Sequence, residues 1–275
     1  MPSFYEKLRT IQRKNASLLC IGLDPDITKI PRTLLAHKDP VYEFNKRIIE
    51  ATSDLACAYK LNLAFYESLG LGGWETIHRT LEEIPEAIIT IGDAKRGDIG
   101  TSAEMYARAL FESHGFSSCT VNPYMGGDSV QPFMKDPNQG VFVLAVTSNA
   151  GAKDFQYLTV KGKPLYEHVI GRVKKWNTAK NCGLVVGATR PRELKRVRSL
   201  APEMPLLIPG VGAQGGDLRL AVRYGCDKRG EMAIVNSSRS IIYASSGEDF
   251  AEQARNAAMA MREEMNRWRD EYFMT

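Results

Sequence analysis

Two aspartates and a lysine at close spacing are the residues of this sequence best suited to chemistry. Asp93, Lys95 and Asp98 follow the run Ile88-Ile89-Thr90-Ile91, which is typical of a buried β-strand. Side chains two positions apart on a strand point to the same face, so Asp93 and Lys95 should project together. Asp98 lies beyond the strand, in a loop that contains glycine. A lysine between two carboxylates is held as an ammonium ion and can act as a general acid.

A second strand end contributes another lysine. The run Ala58-Tyr59-Lys60-Leu61-Asn62 places Lys60 among apolar residues that indicate a buried position. Lys60, Asp93, Lys95 and Asp98 are therefore predicted to form a chain of alternating charge, in which Lys95 is a proton donor rather than a Schiff-base nucleophile. A purely structural ion-pair network is the alternative for this cluster taken alone, since such networks also gather charged residues.

Glycines and an arginine near the end of the chain predict an anion site. Residues 207–217 form a strand followed by a glycine-rich loop whose backbone N–H groups can approach an anion closely. The next strand ends at Asn236, and Arg239 follows it at the start of a predicted short helix, where it can bind phosphate oxygens bidentately. An ordinary turn and a surface arginine are the alternatives for each feature taken singly. Their position after the last two predicted strands favours a phosphate site.

Eight short apolar runs alternate with amphipathic stretches along the chain. This alternation predicts a parallel sheet with crossover helices, and eight repeats in 275 residues predict a (β/α)8 TIM barrel that forms a single domain over residues 1–275. An open doubly wound sheet is the second interpretation. Polar and glycine-rich segments after nearly every run favour the barrel, whose active sites are built from those loops. The predicted strands are 17–24, 57–62, 87–95, 116–122, 141–147, 183–188, 206–209 and 232–236, and the clearest predicted helices are 41–53, 73–83, 102–113 and 248–272.

The composition excludes several classes of protein. With 44% hydrophobic and 25% charged residues, the chain is typical of a soluble globular protein with one large core. It has no apolar stretch near the roughly 18 residues of a membrane span and no signal-peptide core, so we expect a cytoplasmic protein without membrane contact. A net charge of +4 without a basic and aromatic run argues against nucleic-acid binding. The four histidines and five cysteines lack the spacing of metal ligands, so no metal site is predicted.

Two motifs together resemble one enzyme family. The segment Asp93-Ala94-Lys95-Arg96-Gly97-Asp98-Ile99 and the glycine-rich stretch 209–217 are similar to those of orotidine 5'-phosphate decarboxylases of the longer bacterial type. The correspondence runs from Gly22-Leu23-Asp24-Pro25-Asp26 to Arg239-Ser240. Sister decarboxylases and aldolases acting on sugar phosphates share the motif at 93–99. The glycine-rich motif at 209–217 favours the orotidine 5'-phosphate decarboxylases among these families. The resemblance implies decarboxylation of orotidine 5'-phosphate (OMP) to UMP in de novo pyrimidine biosynthesis, without a cofactor.

The resemblance also implies roles for individual residues. Lys95 would deliver the proton to C6 of the pyrimidine, and Asp93 would lie beside the departing carboxylate. Asp98 would come from the partner subunit of a homodimer. The positions that would bind substrate are Lys60, Asp24 and Ser102 near the ribose, Ser148 at the pyrimidine, Gln214 and Arg239 at the phosphate, and Gly215 and Ser240 beside those two.

Two other functions remain open at this point. A metal-dependent sugar-phosphate decarboxylase or aldolase of the same suprafamily would need further carboxylate ligands near Asp93, and the sequence offers none there. A non-catalytic barrel that binds a phosphorylated ligand would have no reason to keep so many buried charges. The region 132–164 and the loop after Ser148 depart from shorter family members, so the segment that closes over the substrate is not predicted.

Overall fold

Eight parallel strands close into a barrel in the computed structural model, which describes residues 2–212 and 215–274. The predicted barrel is thus confirmed, and the open doubly wound sheet is wrong because the first and last barrel strands pair with each other. Every predicted strand is present. The strands are β1 (Leu19–Gly22), β2 (Ala58–Asn62), β3 (Ile89–Arg96), β4 (Ser118–Val121), β5 (Gly140–Val146), the hairpin strands β6 (Thr159–Val160) and β7 (Lys163–Pro164), β8 (Cys182–Val186), β9 (Leu206–Pro209) and β10 (Ala233–Ser237).

Helices connect the strands and cover the outside of the barrel. The four predicted helices are confirmed, although the one predicted over 102–113 ends as an α-helix at Arg108 and continues as a π-helical turn, Ala109–Ser113. No helix within the described ranges is long and apolar enough to cross a membrane. The α-helices are α1 (Phe4–Lys14), α2 (Pro40–Thr52), α3 (Leu63–Glu67), α4 (Leu71–Glu82), α5 (Gly100–Arg108), α6 (Gly127–Val130), α7 (Ala152–Phe155), α8 (Leu165–Trp176), α9 (Pro191–Leu200), α10 (Leu218–Gly225), α11 (Arg239–Ile242) and α12 (Phe250–Phe273).

Burial on both faces explains why strands such as β5 and β8 are continuous apolar runs. Every residue of β1, β4, β8 and β10 is buried, since helices cover one face of the sheet and side chains fill the barrel on the other. The charged residues of the barrel strands lie in the middle of β2, at Lys60, and in the second half of β3, at Asp93, Lys95 and Arg96.

Helix α1 closes the N-terminal end of the barrel. The Phe4 ring is fully buried and occupies the space that a β-carbon at Gly140 would need. The buried Gln12 amide donates to the carbonyl of Ala233 at 2.6 Å and accepts from the N–H of Met232 at 3.0 Å. The N-terminal ends of β5 and β10 are thereby sealed, and the C-terminal ends of the strands form the accessible end of the barrel.

Strand β3 is irregular where the predicted reactive residues lie. Gly92 pairs with Cys119, but the next pair is Arg96 with Val121, so β3 carries two more residues than β4 over this interval. Lys95 within this bulge has a φ of +50°, in the left-handed region that a lysine adopts only at a cost of about 1–3 kcal/mol. Regular strand geometry through Lys95, as the sequence pattern predicts, is therefore wrong.

Candidate active site

A cavity of about 640 Å³ opens at the C-terminal ends of the barrel strands. Charged residues that follow or end β1, β2 and β3 line one wall, and apolar residues of β5, β8 and β9 line the other. These two groups of strands lie on opposite sides of the circular strand order. The charged residues of the first wall are Asp24, Lys60, Asp93 and Lys95, and the apolar residues of the second are Leu144, Val146, Val185 and Leu207.

The charged wall is a continuous chain of ion pairs. The Lys60 Nζ lies 3.2 Å from the Asp24 Oδ1 and 3.5 Å from the Asp93 Oδ2. The Lys95 Nζ lies 2.7 Å from the other oxygen of Asp93, Oδ1. Alternation of charge is as predicted, but the fourth member is Asp24 rather than Asp98.

Burial and charge compete at the centre of this chain. Burial lowers the pKa of Lys60, but Asp24 and Asp93 together outweigh it and raise that pKa above its usual value. Burial raises the pKa of Asp93, but Lys60 and Lys95 outweigh it and hold that pKa below its usual value. Both groups are therefore ionised at neutral pH, and Lys95 faces a permanent negative charge.

Asp24 is fixed by two further hydrogen bonds. Its Oδ1 accepts from the backbone N–H of Asn62 at 3.1 Å, and its Oδ2 accepts from the Ser238 hydroxyl at 2.8 Å. A β-carbon at position 22 would overlap with the Ser238 Oγ, so Gly22 is what allows Ser238 to reach Asp24. Sequence reasoning missed Ser238, although its place after the eighth barrel strand, beside Arg239, is a signal that could have found it.

Asp93 is fixed by a threonine from the neighbouring strand. The Thr120 hydroxyl donates to the Asp93 Oδ1 at 2.8 Å and accepts from the backbone N–H of Lys95 at 2.9 Å. Sequence reasoning missed Thr120 as well. Its position one residue before the end of β4 is the only signal, because the contact depends on the bulge in β3.

Asp98 and Ser102 lie away from the cavity of their own chain. The Asp98 Oδ1 accepts from the N–H of Ile99 at 2.8 Å, and Asp98 is not an ion-pair partner of Lys95 within the described residues. Ser102 is exposed on α5. A lysine flanked by two carboxylates of one chain is thus not formed, because the chain leaves the barrel after Arg96 and carries Asp98 beyond the strand end.

The predicted phosphate end is formed in part. Arg239 begins α11 and lines the cavity together with Gly210, and Ser148 lines it after β5. The Ser240 hydroxyl instead lies 2.6 Å from that of Ser237. The N–H of Gly215 donates within the loop to Gly212 at 2.8 Å, so that N–H is engaged rather than directed at an anion. Gln214 lies outside the described residues.

The described residues place no group of three or more His, Cys, Asp or Glu side chains where they could hold a metal ion. Binding of a metal ion at Asp93 would be unfavourable, because each of its two carboxylate oxygens already contacts the ammonium group of a lysine, which would repel the ion.

Comparison with known proteins decides the family. The family described as "Orotidine 5'-phosphate decarboxylase / HUMPS family" matches residues 17–254, most of the chain. The chain belongs to this family. Two curated relatives are each named orotidine 5'-phosphate decarboxylase: one from Janthinobacterium sp. (strain Marseille), 50% identical over 97% of this chain and 99% of its own, and one from Dehalococcoides mccartyi (strain BAV1), 47% identical over 98% and 99%.

A solved structure supports the same membership. The structure titled "Structure of Leishmania donovani OMP decarboxylase" superposes with a TM-score of 0.85 at 39% sequence identity and covers 98% of this chain and 99% of its own. The matched family and the names of these relatives support decarboxylation of OMP in pyrimidine biosynthesis, as the resemblance of the two motifs implied.

Proposed function

We propose that this chain decarboxylates OMP to UMP without a cofactor and that Lys95 supplies the proton to C6 of the pyrimidine. The observation that carries this proposal is the Lys95 ammonium group, which lies in the cavity 2.7 Å from the Asp93 carboxylate. Family membership gives the reaction, and this contact supports the choice of proton donor.

The chemistry requires a fixed cation at the reacting carbon. When the bond between C6 and the carboxylate breaks, carbon dioxide departs and the electron pair stays on C6. The pyrimidine offers no electron sink for that pair, so an ammonium group aimed at C6 stabilises the charge as it develops. Transfer of the ammonium proton to C6 completes UMP and leaves Lys95 neutral. Its side chain is about half exposed, so it can regain a proton from water.

The remaining wall residues are proposed to bind the rest of the substrate. Asp24 and Lys60 would hold the ribose hydroxyls, and Ser148 would contact the pyrimidine. Arg239 would bind the phosphate together with Gln214, with Gly215 and Ser240 beside them. Gripping a phosphate far from C6 supplies binding energy that can be used to orient the reacting atoms.

We further propose that the active enzyme is a homodimer to which each partner contributes Asp98. Asp98 makes no ion pair with Lys95 inside its own described chain, and large apolar side chains are exposed in the segments around it. Ile99, Tyr106 and Met125 are exposed there, and a β-carbon at Gly97 would lie 3.5 Å from the end of the Met125 side chain. Covering this surface with a second copy would bring the partner's Asp98 to Lys95 and the partner's Ser102 towards the ribose.

Replacement of Lys95 tests the proposed function directly. Purified protein in EDTA should consume OMP, followed by ultraviolet absorbance, and Lys95→Ala should lower kcat about 10²- to 10⁴-fold or more, because the proton donor is lost. Lys180→Ala is the matched control, since Lys180 is also exposed with a φ of +53° but lies at the other end of the barrel.

Other outcomes separate the alternatives. Turnover that EDTA abolishes and a divalent metal restores would support the metal-dependent sugar-phosphate enzyme. Binding of OMP without turnover would support the non-catalytic barrel. Full activity of Lys95→Ala would overturn the assignment of the proton donor.

A further inference from the structure

We propose that Thr120 is a positioning residue, whose hydroxyl holds Lys95 and Asp93 in their reactive geometry. The proposal rests on the proposed role of Lys95. It concerns a residue of β4 that carries no charge and does not line the cavity.

The three residues form a closed ring of hydrogen bonds. The Lys95 N–H donates to the Thr120 Oγ1 at 2.9 Å, and the Thr120 hydroxyl donates to the Asp93 Oδ1 at 2.8 Å. The same Oδ1 accepts from the Lys95 Nζ at 2.7 Å, which closes the ring. One hydroxyl therefore fixes both ends of Lys95, the backbone directly and the ammonium group through Asp93.

The bulge in β3 explains why this hydroxyl is needed. Within the two-residue excess of β3, Lys95 has no Cα partner on β4, so the regular ladder is interrupted there. The Thr120 side chain replaces the carbonyl that would otherwise accept the Lys95 N–H. It also stabilises the left-handed backbone at Lys95, where φ is +50°.

Burial makes the ring rigid. Thr120 is fully buried, so its hydroxyl has no water to bond instead, and breaking the ring would leave a donor and an acceptor unsatisfied. The geometry of Lys95 is thus set by a side chain that never meets the substrate. Misplacement of a reacting group by about 1 Å can cost about 100-fold in rate.

The valine variant of Thr120 tests this role. Thr120→Val keeps the branched shape and removes the hydroxyl, and we expect kcat to fall about 10- to 100-fold while KM stays within about twofold. Thr120→Ser restores the hydroxyl and should recover most of kcat. Thr90→Val is the control for folding, because the Thr90 hydroxyl, on the neighbouring strand β3, also accepts a partly buried backbone N–H, from Ser117 at 2.8 Å, but does not line the cavity.

The dependence of kcat/KM on pH distinguishes a positioning role of Thr120 from a purely structural one. The groups facing Asp93 are Lys60 of β2, Lys95 of β3 and Thr120 of β4, with Asp24 reached through Lys60. Lys60, Lys95 and the Thr120 hydrogen bond all lower the pKa of Asp93. In Thr120→Val the acidic limb of kcat/KM should therefore move to higher pH.

The outcomes separate this proposal from the proposed function. Loss of kcat in Thr120→Val with near-normal kcat in Thr120→Ser and Thr90→Val supports it. Equal losses of kcat in Thr120→Val and Thr90→Val, or an unchanged kcat and pH profile in Thr120→Val, overturn it. The proposed function would survive that result as long as the unmodified protein turns over OMP and Lys95→Ala does not.

Discussion

At the scale of single residues, Asp93 is the group on which the charged wall depends. Its two oxygens contact different lysines, Lys60 at 3.5 Å and Lys95 at 2.7 Å, so one carboxylate fixes two ammonium groups. Lys60 is buried and Lys95 is half exposed, so the two lysines can have different roles. The buried lysine keeps Asp93 charged, and the exposed one is available to a substrate.

Gly22 is the residue whose replacement should separate substrate binding from catalysis. In Gly22→Ala the new methyl group displaces the Ser238 hydroxyl from Asp24, which loses a charged hydrogen bond worth about 1.5–3 kcal/mol. Because Asp24 is proposed to hold the ribose, we expect KM for OMP to rise roughly tenfold or more, with a smaller change in kcat. Steady-state kinetics by ultraviolet absorbance measures both.

The control for this prediction is Gly171→Ala. Gly171 lies exposed within α8 with open space around its α-carbon, so alanine there should stabilise the helix by about 0.5–1 kcal/mol and leave KM unchanged. An unchanged KM in Gly22→Ala would show that the Ser238 contact does not matter for binding.

Charged residues of the site were easier to predict than its hydroxyls. Lys60, Asp93 and Lys95 stand out in sequence because ionic side chains at the ends of apolar strands are costly to bury and so indicate a site. Ser238 and Thr120 could not be predicted from their type, since serine and threonine are common and their contacts depend on spatial neighbours. The sequence predicts Asp98 as a member of the same series of alternating charges, but in the structure it lies outside the cavity and its place is taken by Asp24.

At the scale of elements, the ion pairs join three neighbouring strands. Gly22, the last residue of β1, is in register with Lys60, and Asn62, the last residue of β2, is in register with Asp93, so β2 extends beyond β1 and β3 extends beyond β2. Lys60 on the middle strand contacts carboxylates contributed from either side. Its charge therefore contributes to the packing of the strands as well as to the site.

Removal of the Lys60 charge should destabilise the protein in a pH-dependent way. Lys60→Met leaves Asp24 and Asp93 without their buried partner, which should cost about 3–5 kcal/mol in the free energy of unfolding at pH 7. The lowered pKa of Asp93 stabilises the wild type above the usual aspartate pKa of about 4, and this stability is lost as pH falls through the lower folded value. Without Lys60 the pKa of Asp93 rises, so Asp93 takes up its proton at a higher pH than in the wild type, and the difference in unfolding free energy between the two proteins should narrow as the pH falls.

Urea unfolding at pH 7 and pH 4 measures this difference. Lys135→Met is the control, because the Lys135 pair with Glu104 is exposed and should contribute little at either pH. An equal loss of stability for Lys60→Met at both pH values would contradict the assigned charge of Asp93.

The strands and helices could be predicted because each has a local pattern of apolar residues, whereas the irregular segments depend on contacts with other segments. A continuous apolar run such as that of β8 indicates a strand without reference to its neighbours. The bulge in β3 depends on its pairing with β4, which a single segment does not encode. Likewise, nothing in the sequence of 149–164 predicted the short helix α7 and the β6–β7 hairpin that follow Ser148.

At the scale of the whole molecule, the proposed shared site makes activity depend on pairing of two chains. Mixing equal amounts of inactive Lys95→Ala and Asp98→Ala chains should restore activity, because a mixed dimer contains one site with both native residues. Random pairing predicts about a quarter of the wild-type activity. Activity assays after subunit exchange, with the mass of the assembly measured by sedimentation, check this result.

The control is each variant incubated alone, which should stay inactive under the same exchange conditions. A mixture no more active than its components would show that Asp98 acts within its own chain or not at all.

Closure of the barrel also has a consequence for how the protein is made. β1 pairs with β10, and Gln12 of α1 reaches Ala233, which is 221 positions further along the chain. While the ribosome is still adding residues before β10, the edge of β1 that will receive it stays open, and an open edge invites pairing with other nascent chains. The closed barrel can therefore form only late in synthesis, after the last strand has emerged from the ribosome.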